Sequence, residues 1–218
     1  MSQFSLYDTY QVFEEDIGEP MSMYVSDISN NPIAAASIGQ VYVARLKNKK
    51  EIALKVQRPT IADSFEKDLK PVKDLLKLLK IFKNRTINDI ILVVNECSLS
   101  IKNELDFRNE YQKMKIFKKI FNDNESFIIP RVYNKLTTKR LLAMEYVPGI
   151  KITDVEQLKK LNIDTSLLAY TLMTTFVDTL LKYGYIHADP HPGNLSVLPS
   201  GKIVIYDYGI IADIDINL

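Results

Sequence analysis

Residues 185–209 gather side chains suited to handling a phosphate and a divalent cation. Both histidines of the chain, His187 and His191, lie here, with the carboxylates of Asp189 and Asp207 and the carboxamide of Asn194. Apolar-rich runs at 195–198 and 202–205 meet at a Pro-Ser-Gly-Lys turn signal, the pattern of a β-hairpin. Folding that hairpin symmetrically about Ser200 and Gly201 sets Asn194 opposite Asp207. Cross-strand partners have Cα atoms roughly 4.5–5.5 Å apart, so the two side chains could hold one cation. Hard oxygen donors of this kind suit Mg²⁺, which keeps several waters and takes further ligands from substrate phosphates. Asp189 falls just outside the strand, free to meet a substrate.

The spacing Asp-x-x-x-x-Asn, followed by Asp-aromatic-Gly, is that of protein-kinase-like catalytic loops. There the first Asp positions or deprotonates the acceptor, while the Asn and the second Asp hold metal on the nucleotide. The plainer reading is a polar loop before an ordinary hairpin, so the elements upstream must decide. Ala34, Ala35, Ala36 and Ser37 directly precede an alternating strand at 41–46. Small side chains let backbone amides approach a phosphate, although alanine makes a stiffer loop than glycine. A polar turn at 47–50 leads to a second strand at 51–57, with Ala53 and Lys55 on one face and Leu54 and Val56 on the other. A lysine on a half-buried strand needs a negative partner, unless it merely snorkels at an edge.

Around these pieces, 8–28 reads as helix interrupted by Gly18, Glu19 and Pro20. Residues 60–82 read as a helix with Leu69, Val72, Leu75, Leu76, Leu79 and Phe82 on one side and lysines on the other, with Pro71 starting a new helix or kinking this one. The expected role is a core-facing stripe; contact with anionic lipid is the other reading. Residues 88–120 read as one long helical region, in which Glu104 and Glu110 lie on different faces. Strands at 129–133 and 141–147 form a second hairpin, Pro148-Gly149 breaks the chain, and helices follow near 153–160 and 165–182, the latter stopped by Gly184. The order describes an α+β fold with antiparallel strands: a sheet-rich lobe, a connector at 145–150 and the start of a helical lobe.

Composition narrows the classes. Net charge is +1 over 218 residues, which gives no global pull toward nucleic acid or anionic membrane. A single cysteine, Cys97, excludes an intramolecular disulfide framework. No apolar run reaches the ~20 residues of a membrane helix, and the N-terminus carries no signal-peptide or transit pattern.

The motifs together resemble the UbiB family of atypical kinases, the aarF-domain proteins. Four blocks carry the likeness: Ala34-Ala35-Ala36-Ser37-Ile38-Gly39-Gln40-Val41, Ala53-Leu54-Lys55-Val56-Gln57-Arg58-Pro59, Glu104-Leu105-Asp106-Phe107, and His187-Ala188-Asp189-Pro190-His191-Pro192-Gly193-Asn194 leading to Asp207-Tyr208-Gly209. The resemblance implies a protein-kinase-like fold in which 33–147 is the nucleotide lobe, 1–32 a helical lead-in and 148–218 a truncated helical lobe. It implies ATP and Mg²⁺ as cofactors and work in ubiquinone or other prenyl-quinone metabolism, with quinone-precursor lipids or quinone-biosynthesis proteins as partners. Peripheral membrane contact in a mitochondrion, plastid or bacterium goes with it, and nucleic acid does not. Ala34, Ala35, Ala36, Ser37 and Lys55 would meet the phosphates, and Glu145, Tyr146, Val147 and Pro148 would lie beside adenine. Asp189 would be the proton acceptor, Asn194 and Asp207 the Mg²⁺ ligands, and Glu110 the partner of Lys55, leaving Glu104 to a regulatory acidic motif. Three departures stand out: the family's upstream Lys-x-Gly-Gln motif is absent, Tyr208 replaces the usual Phe, and the chain stops at Leu218. A fragment or short member is therefore expected, either an ATPase or small-molecule kinase or an inactive nucleotide-binding scaffold, and a hydroxyl-directed phosphotransferase is a further alternative.

Overall fold

The computed structural model describes residues 4–35, 38–82 and 84–214, the side chain of Phe82 excepted. In chain order the elements are α1 (Leu6–Ile17), β1 (Val25–Ile28), β2 (Ala34–Ala35), β3 (Gly39–Leu46), β4 (Glu51–Gln57), α2 (Ile61–Leu79), α3 (Arg85–Glu104) and α4 (Phe107–Ile120). Then come β5 (Phe127–Ile128), β6 (Leu141–Glu145), β7 (Ile150–Lys151), α5 (Val155–Lys160) and α6 (Thr165–Tyr183). The last are β8 (Tyr185–His187), β9 (Leu195–Val197), β10 (Ile203–Ile205) and β11 (Ile211–Asp213). They fall into two compact units, Met1–Phe107 with Leu136–Ala143, and Arg108–Lys135 with Met144–Leu218.

In the first unit α1 starts at a capping box: the Ser5 hydroxyl accepts the Asp8 N–H and the Asp8 carboxylate accepts the Ser5 N–H. Its Val12 and Phe13 are buried, and it packs on β4. The sheet order is β1-β3-β4-β6, with β2 on the same edge of β3 as β1, at the start of the strand. β1 lies in the segment read as helical; after Pro20 its Val25 is buried and its register follows β3 from Val25↔Leu46 to Ile28↔Ala44. β4 is buried from Ile52 to Gln57, so both of its faces are covered.

An ionic cluster ties α1 to the residues just before β6. The Arg140 guanidinium donates to Asp16 and Glu15, and the Thr138 hydroxyl donates to Asp16 at 2.6 Å. Burial alone would push the Asp16 carboxyl up, but the hydrogen bonds from Arg140 and Thr138 and the guanidinium charge outweigh it and hold its pKa below the ordinary 3.8. Because folding lowers this pKa, the contribution is fully present above 3.8 and fades as pH falls through the folded value. Asp16→Asn should therefore melt lower than the parent near neutral pH, with the gap closing in acid; thermal melts across that range check it.

Two sequence expectations are corrected here. Of the expected stripe's described side chains only Leu76 is buried, while Val72 and Leu75 are exposed and the Phe82 side chain lies outside the described residues; α2 packs mainly on α3, which itself exposes Leu92, Val93 and Leu99. Pro71 sits inside α2 without ending it. The region 88–120 is two helices, not one. Leu105 is buried with its carbonyl accepting the Gln57 side-chain amide at 3.0 Å, and the Phe107 N–H donates to the Lys139 carbonyl at 3.0 Å. Partners from distant strands replace the helical hydrogen bonds, and the helix breaks there.

In the second unit the sheet order is β5-β10-β9-β7, and β8 pairs with β11. β5 runs parallel to β10, against the all-antiparallel expectation. The hairpin expected at 129–133 and 141–147 reduces to one bridge, Val132↔Met144, since the chain turns through a 3₁₀ helix at Asn134–Leu136. Met114 and Phe117 of α4 are buried, and Phe117 meets Tyr208 and stacks on Phe121, just past the helix end, which in turn meets Phe127. α6 is capped by the Asp164 carboxylate, which accepts the Ser166 and Leu167 N–H groups, and ends at Gly184. It exposes Leu167, Tyr170, Met173, Val177 and Leu181.

Candidate functional site

The β9–β10 hairpin forms with a register one residue from the symmetric one: Leu195↔Ile205, Ser196↔Val204 and Val197↔Ile203. Its loop is the three residues Pro199, Ser200 and Gly201, closed by Leu198 N–H to the Lys202 carbonyl at 2.9 Å and Gly201 N–H to the Leu198 carbonyl at 2.8 Å. Gly201 takes a φ of +81°, the left-handed conformation that a three-residue hairpin loop requires at its last position. The partner of Asn194 is consequently Tyr206, whose N–H donates to the Asn194 carbonyl at 3.0 Å, and Asp207 follows one residue on.

Asn194 and Asp207 therefore sit at the same end of one hairpin. Asn194 closes a 3₁₀ turn, Pro192–Asn194, whose start is capped by the His191 ring accepting the Gly193 N–H at 3.0 Å. The Asp207 carboxylate accepts the Gly209 N–H at 2.7 Å, which orients it, and its backbone carbonyl accepts from His187 Nε2 at 2.7 Å. Both side chains are half-buried, and Asp189 is exposed. A carboxylate and a carboxamide oxygen are a fit donor pair for Mg²⁺, whose remaining positions water and phosphate would fill. Among the described residues no group of three or more His, Cys, Asp or Glu side chains forms a denser metal site.

Tyr208 is fully buried among Phe117 and His187, and burial, with the Asp207 and Glu110 charges, pushes its phenol well above the ordinary range, so it stays neutral. Among the described residues its hydroxyl and the His187 Nδ1 have no hydrogen-bond partner. The His187 ring lies flat against Phe176. From α4, buried Glu110 accepts the Tyr208 N–H at 3.3 Å, and Lys113 donates to the Gly209 carbonyl. Lys113 was not singled out in the sequence, although it lies three residues from Glu110 on the same helix face.

In the first unit Lys55 is 6% exposed on β4, with Nζ 5.1 Å from the centre of the Phe107 ring. Phe107 closes the third of the sequence blocks, where it was given no role of its own. Ala34 and Ala35 form β2, pair with Val41 and Gln40, and are exposed; Ala36 and Ser37 lie outside the described residues. Glu104 ends α3, half-buried.

The linker 145–149 belongs to the second unit from Met144 onward. The Glu145 N–H donates to the Arg131 carbonyl at 2.7 Å, and the Tyr206 hydroxyl donates to the Val147 carbonyl at 2.7 Å. A methyl group at Gly149 would lie 2.2 Å from Ser196 Oγ and 2.8 Å from its Cβ. Gly149→Ala is accordingly expected to displace the linker and lower the melting temperature by several degrees, by the usual cost of overpacking, about 1–3 kcal/mol; a thermal melt checks it.

The model of the ABC1 atypical kinase-like domain matches residues 1–218. The chain belongs to this family. As an ABC1 chain it is 35% identical over 212 residues to the Arabidopsis thaliana protein named ACTIVITY OF BC1 COMPLEX KINASE 8, chloroplastic, covering 95% of this chain and 28% of that protein. It is 36% identical over 217 residues to the Dictyostelium discoideum protein named "Probable serine/threonine-protein kinase abkB", covering 95% of this chain and 32% of that one. The chain thus spans under a third of the length of either curated relative. Among solved structures it is similar to Rv3197 of Mycobacterium tuberculosis in complex with erythromycin, at a TM-score of 0.80 and 25% identity, over 96% of this chain and 52% of that one. It is similar in fold to the Rio2 kinase–ADP/Mg²⁺–phosphoaspartate complex of Chaetomium thermophilum, at a TM-score of 0.51 and 16% identity, over 88% of this chain and 50% of that one. The α+β, kinase-like class expected from the sequence holds. No described helix is long and apolar enough to cross a membrane.

Proposed function

We propose that this ABC1 chain binds Mg-ATP and transfers its terminal phosphoryl group, to a small-molecule hydroxyl or to water. The observation that carries the reading is the hairpin that brings Asn194 and Asp207 to one end, with the Asp207 carboxylate oriented by the Gly209 N–H. These two residues would hold Mg²⁺, which supplies neutralisation of phosphate charge when bound. Lys55, kept dry over Phe107, would orient the phosphates as a fixed positive charge. The small side chains of Ala34, Ala35, Ala36 and Ser37 would let backbone amides meet the same phosphates. Asp189, which is exposed, would take the proton of the acceptor or position it. Glu110 would act by bonding the Tyr208 N–H and so steadying the segment that carries Asp207, besides any role toward Lys55.

Service to prenyl-quinone lipid metabolism is the biological setting the family resemblance supports, and the chloroplastic names of several relatives support a plastid among its compartments. Titration of the purified chain with ATP tests the chemistry. Saturable binding in the presence of Mg²⁺, lost in excess EDTA, is the expected outcome. Binding that ignores the chelator would contradict the metal assignment.

A further inference from the structure

We infer that Tyr206 is a positioning residue that fixes the linker 145–149 as the edge that reads the nucleobase, through a hydroxyl held between Ser196 and the Val147 carbonyl. This rests on the Mg-ATP reading above. The Tyr206 hydroxyl has one proton, and it is given to the Val147 carbonyl at 2.7 Å, so the contact with Ser196 Oγ is one in which the serine donates. Ser196 is 3% exposed on β9, which makes the relay Ser196 to Tyr206 to Val147 a sheltered and directional one.

The relay acts at the linker's centre, because both ends are already held by backbone. Upstream, Glu145 bonds to Arg131 through its own N–H and through its carboxylate, which accepts the Arg131 N–H at 3.3 Å. Downstream, β7 pairs with β9 at Ile150↔Val197 and Lys151↔Ser196. Val147 precedes Pro148, which restricts it to extended backbone. With that restriction, fixing the Val147 carbonyl also fixes the direction of its N–H. The carbonyl is turned inward and taken, and the neighbouring amide is presented in a set direction. Gly149 then passes so close that a methyl there would sit 3.3 Å from the Tyr206 hydroxyl as well as against Ser196. Neither Tyr206 nor Ser196 would touch phosphate or metal in this arrangement.

The test compares two probes, Mg-ATP and Mg-bound inorganic triphosphate, by calorimetric titration of the parent, Tyr206→Phe and Ser196→Ala. Tyr206→Phe should weaken Mg-ATP by about tenfold while leaving triphosphate affinity unchanged, since one hydrogen bond to the base-reading edge is lost. Ser196→Ala, which keeps the Tyr206–Val147 bond, should show the same selective loss at smaller size, and it carries the comparison if the phenylalanine variant does not melt cooperatively. Equal weakening of both probes would reduce the hydroxyl to a general structural role and overturn the inference, as would unchanged ATP affinity. A parent that binds triphosphate and ATP equally well would overturn the base-reading linker alone, whereas a parent that binds neither would overturn the proposed function with it.

Discussion

Asp207→Asn should abolish Mg²⁺-dependent nucleotide binding, weakening it by at least ~100-fold, while the chain still folds. The replacement keeps the size of the side chain and an oxygen to accept the Gly209 N–H now bonded at 2.7 Å. The His187 contact is to the backbone carbonyl and does not depend on the carboxylate. What disappears is the negative charge, and a divalent cation held by only two protein oxygens loses most of its protein-derived attraction with it. Calorimetric titration with and without Mg²⁺, beside a melt showing an intact fold, gives the answer. Normal Mg²⁺-dependent binding by the variant would remove Asp207 from the metal site.

Asp189→Asn should separate chemistry from binding. Asp189 is exposed and outside the hairpin pairing, so the substitution should leave stability and Mg-ATP affinity close to those of the parent. Phosphate release or transfer should fall by about 10²–10⁴, the range a positioned general base contributes. A parent that binds nucleotide but shows no turnover, with the variant indistinguishable from it, would instead make the chain a nucleotide-dependent scaffold.

Much of this was legible because it is local. The alternation of β3 and β4, the stop at Gly184 and the hairpin turn at 199–201 follow from side-chain period and turn chemistry. The register was missed by one residue because it depends on which residue of the turn takes the left-handed conformation, and a Pro-Ser-Gly-Lys string does not say whether the loop has two residues or three. Other features are set by partners far along the chain. The break at 105–106 is made by Gln57 and the Lys139 carbonyl, and β5 finds β10 rather than the strand after it. The α2 stripe has the spacing of a buried face, yet spacing alone cannot tell whether a partner comes to cover it. Around the candidate site, the charged and amide residues stand out by type and interval. The roles of Phe107, Lys113 and Tyr206 become visible only through what they touch: the lysine ammonium, the Gly209 carbonyl and the Val147 carbonyl.

The most direct measurement of the central claim is a thermal melt of the chain with and without Mg-ATP, beside Lys55→Ala. A ligand at about 100 times its dissociation constant stabilises a fold by roughly 2.7 kcal/mol, a shift of several degrees for a chain of this size. That shift is expected in the parent and is expected to be lost in the variant. A cooperative melt that Mg-ATP leaves unmoved in the parent would contradict it.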